Sequence, residues 1–112
     1  GYGNFGENPW NYNAYRLTGD NLPVGAIRVG GQPTISTAGI GVAVFRAGGK
    51  LKLFLVNRNS GVAAVTISLG VAKTLVGRHY DLSHAGDALT SRTGSSITFV
   101  IPAYSGQCWS EV

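Results

Sequence analysis

The first fifteen residues hold five of the chain's eleven aromatics, Tyr2, Phe5, Trp10, Tyr12 and Tyr15, set among Gly and Asn. A core-building segment mixes aromatics with Val, Ile and Leu, whereas these rings are flanked by residues that favour turns and polar surface. Rings stack on an apolar ligand face while amides both donate and accept hydrogen bonds. Trp10, Asn11, Tyr12, Asn13 and Tyr15 therefore suit a ligand with one apolar face and a rim of hydroxyls, a description that sugars fit best. If residues 8–15 are extended, Trp10 and Tyr12 share one face at a spacing of roughly 6.8 Å, close to that of successive sugar rings.

Other residue types offer less. Hydrolysis of a glycosidic bond needs two carboxylates about 5 to 9.5 Å apart, one of them held protonated. The five acids, Glu7, Asp20, Asp81, Asp87 and Glu111, are scattered, and none stands in an apolar setting that announces a raised pKa, so the chain is not expected to be an enzyme. His79 and His84 read as surface histidines, and no metal site is expected of them. Cys108 is the only cysteine, which removes an intramolecular disulfide and any cysteine-based metal site. No Gly-x-Ser-x-Gly elbow is present. No cofactor is expected, although Asp81 or Asp87 with backbone oxygens leaves a structural calcium open.

The elements that must position these residues are strands. From residue 24 onward the sequence runs in short apolar stretches separated by turn clusters, at 24–29, 40–46, 50–57, 62–69, 74–82, 96–101 and 106–112. Val, Ile and Thr fill the stretches and Gly the turns, and helical periodicity is hard to find. The expectation is an all-β single domain over residues 1–112: an antiparallel two-sheet β-sandwich of about 7–9 strands, jelly-roll or Ig-like. Ala47-Gly48-Gly49 predicts a tight hairpin. Alternation turns Leu51, Leu53, Leu55, Val65, Ile67, Leu69, Ile97, Phe99 and Ile101 inward. In the closing strand it puts Gly106, Cys108 and Ser110 on one face and Gln107, Trp109 and Glu111 on the other. With the small residues inward, Trp109 and Gln107 are expected on the open face of a sheet.

Apolar residues are 44% of the chain and charged residues 12%, about half the usual charged share. The net charge of +4 comes from dispersed cations without a Lys or Arg run, which argues against a nucleic-acid partner. No stretch reaches the length of a membrane span, so no membrane partner is expected. The abrupt Gly1-Tyr2-Gly3 start reads as a fragment of something larger.

Two stretches carry a family resemblance. Tyr80-Asp-Leu-Ser83 through Ser96-Ile-Thr-Phe-Val-Ile-Pro102-Ala-Tyr-Ser105 resembles the last strands of β-sandwich domains that follow catalytic barrels in secreted glycoside hydrolases. Leu53-Phe-Leu-Val-Asn57-Arg58-Asn59 is similar to a central strand of the same domains. The aromatic N-terminus and Trp109 make the whole resemble a carbohydrate-binding module of a bacterial cellulase, of a kind close to family 81. The resemblance implies a secreted, non-catalytic module that binds β-1,4-glucan and sits in one chain with a glycoside hydrolase catalytic domain. Trp10, Tyr12 and Trp109 would then stack on sugar rings, with Tyr15 also in the binding site, while Gln107, Asn11, Asn13, Lys52 and Arg78 hydrogen-bond hydroxyls, with micromolar to millimolar affinity. The alternative is a structural sandwich that only braces a catalytic barrel.

Overall fold

The computed structural model describes residues 16–23, 25–28 and 38–112. Six strands follow in chain order: β1 (Ile27–Arg28), β2 (Ile40–Ala47), β3 (Lys50–Asn57), β4 (Ala63–Tyr80), β5 (Ala85–Ile101) and β6 (Ser105–Glu111). They form one antiparallel sheet in the order β1-β2-β3-β6-β4-β5. The all-β expectation holds; among the described residues the strands form a single sheet and are fewer and longer than expected, and two hydrogen-bonded sheets of 7–9 strands are not seen. The stretches expected at 62–69 and 74–82 are one strand, β4, and the strand expected at 96–101 begins eleven residues earlier, at Ala85. Gly70 and Gly94, just outside the stretches expected at 62–69 and 96–101, lie inside β4 and β5. Of the strand expected at 24–29, Ile27 and Arg28 are seen in β1, and Val24 and Val29 lie outside the described residues.

The long strands bend back on themselves. The distal half of β4, from Ala63 to Ser68, pairs only with the distal half of β5, from Ser96 to Ile101. The proximal half pairs with the start of β5 on one side and, from Leu75 to Tyr80, with β6 on the other. Between the halves the ladder is interrupted from Ser68 to Lys73, where Gly70 takes a φ of +83°. Such an irregularity bends a strand and raises its twist. In a straight β4, Val65 would lie roughly 40 Å from Gly77. Instead its partner Phe99 packs on Trp109, the partner of Gly77, with ring centroids 5.1 Å apart.

The fold-back closes the main core. Leu51, Leu53, Leu55 and Trp109 from the sheet meet Val65, Ile67, Ile97, Phe99 and Ile101 from the bent arm. The inward residues expected from alternation are all there, with Leu69 partly buried at the margin. The opposite face of the sheet is covered as well. Phe54, Tyr80 and Cys108 are buried there under Leu17, which stands in a helical turn at 16–19. Tyr80 anchors that turn: its hydroxyl accepts a hydrogen bond from Asn21 Nδ2 (3.0 Å) and donates to Asp20 Oδ2 (3.1 Å).

Turn chemistry fixes the register. Ala47 pairs with Lys50 across Gly48 and Gly49, whose φ values of +60° and +78° give the two-residue hairpin that the sequence predicts. Asn57, fully buried, donates from Nδ2 to the carbonyls of Gly61 and Ile101 and so ties the end of β3 to the arm. At the other end Glu111 accepts from the Leu51 amide (2.9 Å) and from Lys73 Nζ (3.3 Å).

The orientation expected for Trp109 and Gln107 is overturned: both are 4% exposed. The alternation of β6 is as expected, but the face carrying these two side chains is the one that the arm folds over. Gly77 makes room. A Cβ on Gly77 would lie 2.7 Å from Trp109 ring carbons. The Trp109 Nε1–H donates to Gln107 Oε1 (3.0 Å), and Gln107 Nε2 donates to the Val100 carbonyl on the arm (3.0 Å). Buried polar atoms demand such partners, and here they bridge β6 to β5.

Two outcomes follow. Gly77→Ala should lower unfolding free energy by about 1–3 kcal/mol, measured by urea denaturation, because a methyl group is forced into an aromatic ring whose backbone is fixed. The hydrogen bond from the Leu51 amide, joined by Lys73 and Lys50, holds the Glu111 carboxyl below its ordinary 4.5. A folded-state pKa below the unfolded one stabilises the fold above about pH 4.5 and loses that effect as the pH falls. The acid limb of stability should therefore be shallower in Glu111→Gln than in the unaltered chain, read as urea midpoints between about pH 6 and pH 3.

Candidate functional site

The proximal half of β4 sends alternate side chains to two faces. Leu75, Gly77 and His79 point to the Trp109 face, whereas Val76, Arg78 and Tyr80 point to the other. On that second face, beside the helical turn, lies an open groove of about 470 Å³ lined by Lys52, Arg78, Asp20, Asn21, Ser110 and Val76, among others. Cross-strand register builds it. Lys52, Ser110 and Val76 form one row across β3, β6 and β4, and Phe54, Cys108 and Arg78 form the next. Lys52 Nζ donates to Ser110 Oγ (3.0 Å), and Asp20 pairs with Arg16 (3.1 Å). The floor is apolar at the half-exposed Val76, and the walls carry two cations, a carboxylate, an amide and a hydroxyl. Such a groove can accept and donate several hydrogen bonds to a polar ligand while giving one apolar strip for contact.

Of the site residues expected from sequence, the structure brings two together here, Lys52 and Arg78. Trp109 and Gln107 are inside the core and offer no surface to a ligand. Trp10, Asn11, Tyr12, Asn13 and Tyr15 lie outside the described residues, as do Tyr2 and Phe5. Asp20, Asn21 and Ser110 were missed. Asn21 carries a legible signal, an amide in a Gly-Asp-Asn turn cluster, but its place opposite Lys52 depends on Tyr80, about sixty residues away in sequence.

A second cluster sits where β4 meets β5. His79 Nε2 lies 2.9 Å from Asp81 Oδ2, and His84 Nδ1 lies 2.6 Å from Asp81 Oδ1. The Ser83 amide also donates to Asp81 Oδ1 (2.9 Å). Partial burial pushes the Asp81 carboxyl up, but hydrogen bonds from His84, Ser83 and His79 outweigh it and hold the group at about 2 against an ordinary 3.8. The hydrogen bond to Asp81 raises His84 above 6.5, with the Asp81 and Asp87 charges adding to it. Asp81 and Glu111 are both shifted downward. A glycosidase acid needs the opposite shift. The two histidines expected at an indifferent surface are thus held by one carboxylate, and His79 is 9% exposed. The calcium left open for Asp81 fits this surrounding poorly, because calcium prefers oxygen ligands alone and two imidazoles occupy the carboxylate.

Cys108 is 1% exposed, and burial pushes its thiol up. A buried neutral thiol is a poor nucleophile. Ellman's reagent should leave Cys108 unmodified in the native protein and label it fully in denaturant; rapid native labelling would contradict this packing.

No known family signature matches the chain, and no curated protein does. Solved structures do. The fold superposes on a family 30 endoxylanase from Clostridium papyrosolvens with a TM-score of 0.78 at 17% identity, covering 91% of this chain and 27% of that one. A family 30 subfamily 8 xylanase from Clostridium acetobutylicum gives 0.77 at 11% identity, with 91% and 27% covered. A family 44 xyloglucanase from Paenibacillus polymyxa, solved with xyloglucan, gives 0.71 at 13% identity, with 93% and 23% covered. The chain spans about a quarter of the length of these glycoside hydrolases, and over that quarter it shares their fold.

Proposed function

We propose that this chain is a secreted, non-catalytic accessory domain of a glycoside hydrolase and that it binds β-1,4-linked glycan. The observation that carries the proposal is the match of nearly the whole chain to about a quarter of several polysaccharide-degrading enzymes. The groove supports the binding half. Lys52, Arg78, Asn21 and Ser110 present donors and acceptors on one open face, the chemistry that ring hydroxyls require, with Val76 for contact with an apolar ring face. In this reading Trp10, Tyr12 and Tyr15, with Asn11 and Asn13 between them in sequence, are the residues that would stack on sugar rings. Tethering through such a site raises the local concentration of the catalytic domain at an insoluble polymer.

The inward turn of Trp109 and Gln107 favours a second reading, a domain that braces the catalytic barrel without binding sugar, because it removes two of the residues on which a platform would rest. Calorimetric titration with cellopentaose, xylopentaose and a xyloglucan oligosaccharide separates the two. A binding domain gives a saturable isotherm at micromolar to millimolar affinity that Arg78→Ala weakens about tenfold, the scale of a hydrogen bond to a charged group. A bracing domain gives no heat with any of the three sugars while circular dichroism shows it folded.

A further inference from the structure

We propose that His79, Asp81 and His84 form a site for a divalent transition metal, zinc being the ion whose ligand preferences they match. The backbone sets the three ligands in one rigid turn. Tyr80 pairs with Ala85, the Asp81 amide donates to the His84 carbonyl (2.9 Å), and the Ser83 amide holds the Asp81 carboxylate. His79 is thus the last residue but one of β4, Asp81 opens the connection and His84 ends it, a His-x-Asp-x-x-His spacing.

The ligand atoms already converge, all lying within 4.8 Å of one another. Zinc bound tetrahedrally at about 2.0–2.2 Å from N and O separates its ligand atoms by roughly 3.3 Å, so the approach required is about an ångström and a half at most. His84 is the ligand best placed to supply it, because its side chain is 45% exposed, while His79 is packed and Asp81 is held by the Ser83 amide. The two rings lie with centroids 5.4 Å apart, tilted by 57°, and do not stack. A metal would take the place of the two hydrogen bonds between the imidazoles and the carboxylate, with the exposed His84 on its solvent side.

One further feature points the same way. The His84 nitrogen that faces away from the cluster, Nε2, lies 3.7 Å from Asp87 Oδ2. An outer carboxylate behind a histidine is the arrangement that orients metal-bound imidazoles and raises their basicity. Two nitrogens with one carboxylate select zinc, copper(II) or nickel(II) over calcium and magnesium. The bound ion would staple the β4–β5 hairpin at the end opposite the bent arm.

The test uses the whole chain stripped of metal with a chelator and titrated with zinc chloride. The expected results are one equivalent of zinc by calorimetry, a melting temperature raised by several degrees at saturating zinc, and visible absorption bands of tetrahedral cobalt when Co²⁺ is substituted. His84→Ala changes an exposed side chain and should leave the metal-free melting temperature nearly unchanged while weakening zinc at least tenfold; Asp87→Asn should weaken it less. The chain's two histidines are both in this cluster, and its only cysteine is in the core. Absence of saturable binding up to about 1 mM zinc would overturn the proposal, as would full affinity in folded His84→Ala.

Discussion

The contact of the Trp109 ring with Gly77 decides how the rest of this fold is arranged. A large indole can be buried between β6 and β4 only where the facing residue has no side chain, and Gly77 is paired directly with Trp109. The ring then presents a flat apolar surface from the sheet, and Phe99 on the bent arm packs against it. Its polar N–H needs a partner in that position, and Gln107, two residues earlier on the same face, accepts the bond and passes the connection to the Val100 carbonyl. Core, fold-back and polar bridge thus share one point of origin.

Because the arm covers one face of the sheet, the other face is free to carry a surface feature. It is closed at one end by Leu17 over Phe54, Tyr80 and Cys108, and open at the other, where Lys52, Val76, Ser110 and Arg78 stand. Tyr80 sets the boundary between the two regions. Its ring is fully buried, while its hydroxyl reaches Asp20 and Asn21 and fixes the polar wall of the groove. The likeness to parts of family 30 and family 44 enzymes covers this architecture and leaves the lining to the individual chain, for identity is only 10–17% among those neighbours.

The sequence made the strands, the β2–β3 hairpin and the inward residues of β3, β4 and β5 legible, because each depends on local alternation or on a glycine turn. It hid the continuity of β4 and β5. Gly70 and Gly94 look like turn residues in isolation, and only cross-strand pairing shows that they lie within long strands, Gly70 at the bend and Gly94 paired with Lys73. Trp109 failed for a related reason. Alternation correctly grouped Gln107, Trp109 and Glu111, but which group faces the core depends on the arm folding over that side and on the vacancy at Gly77, neither of which is local to β6. Lys52 and Arg78 share a groove through register alone, and His79, Asp81 and His84 meet because a strand end and a turn join there.

Register also explains why these features occur together. Along six residues of β4, Leu75, Gly77 and His79 face one way and Val76, Arg78 and Tyr80 the other. A slip of one residue between β4 and β6 would set Arg78 or Val76 against the indole in place of Gly77 and would turn every side chain of the strand to the opposite face. Arg78 would leave the groove, Tyr80 would release the helical turn, and His79 would point away from Asp81. The steric demand of one aromatic ring against one glycine excludes that slip, so the same contact that builds the core also aims the groove cation and the buried imidazole.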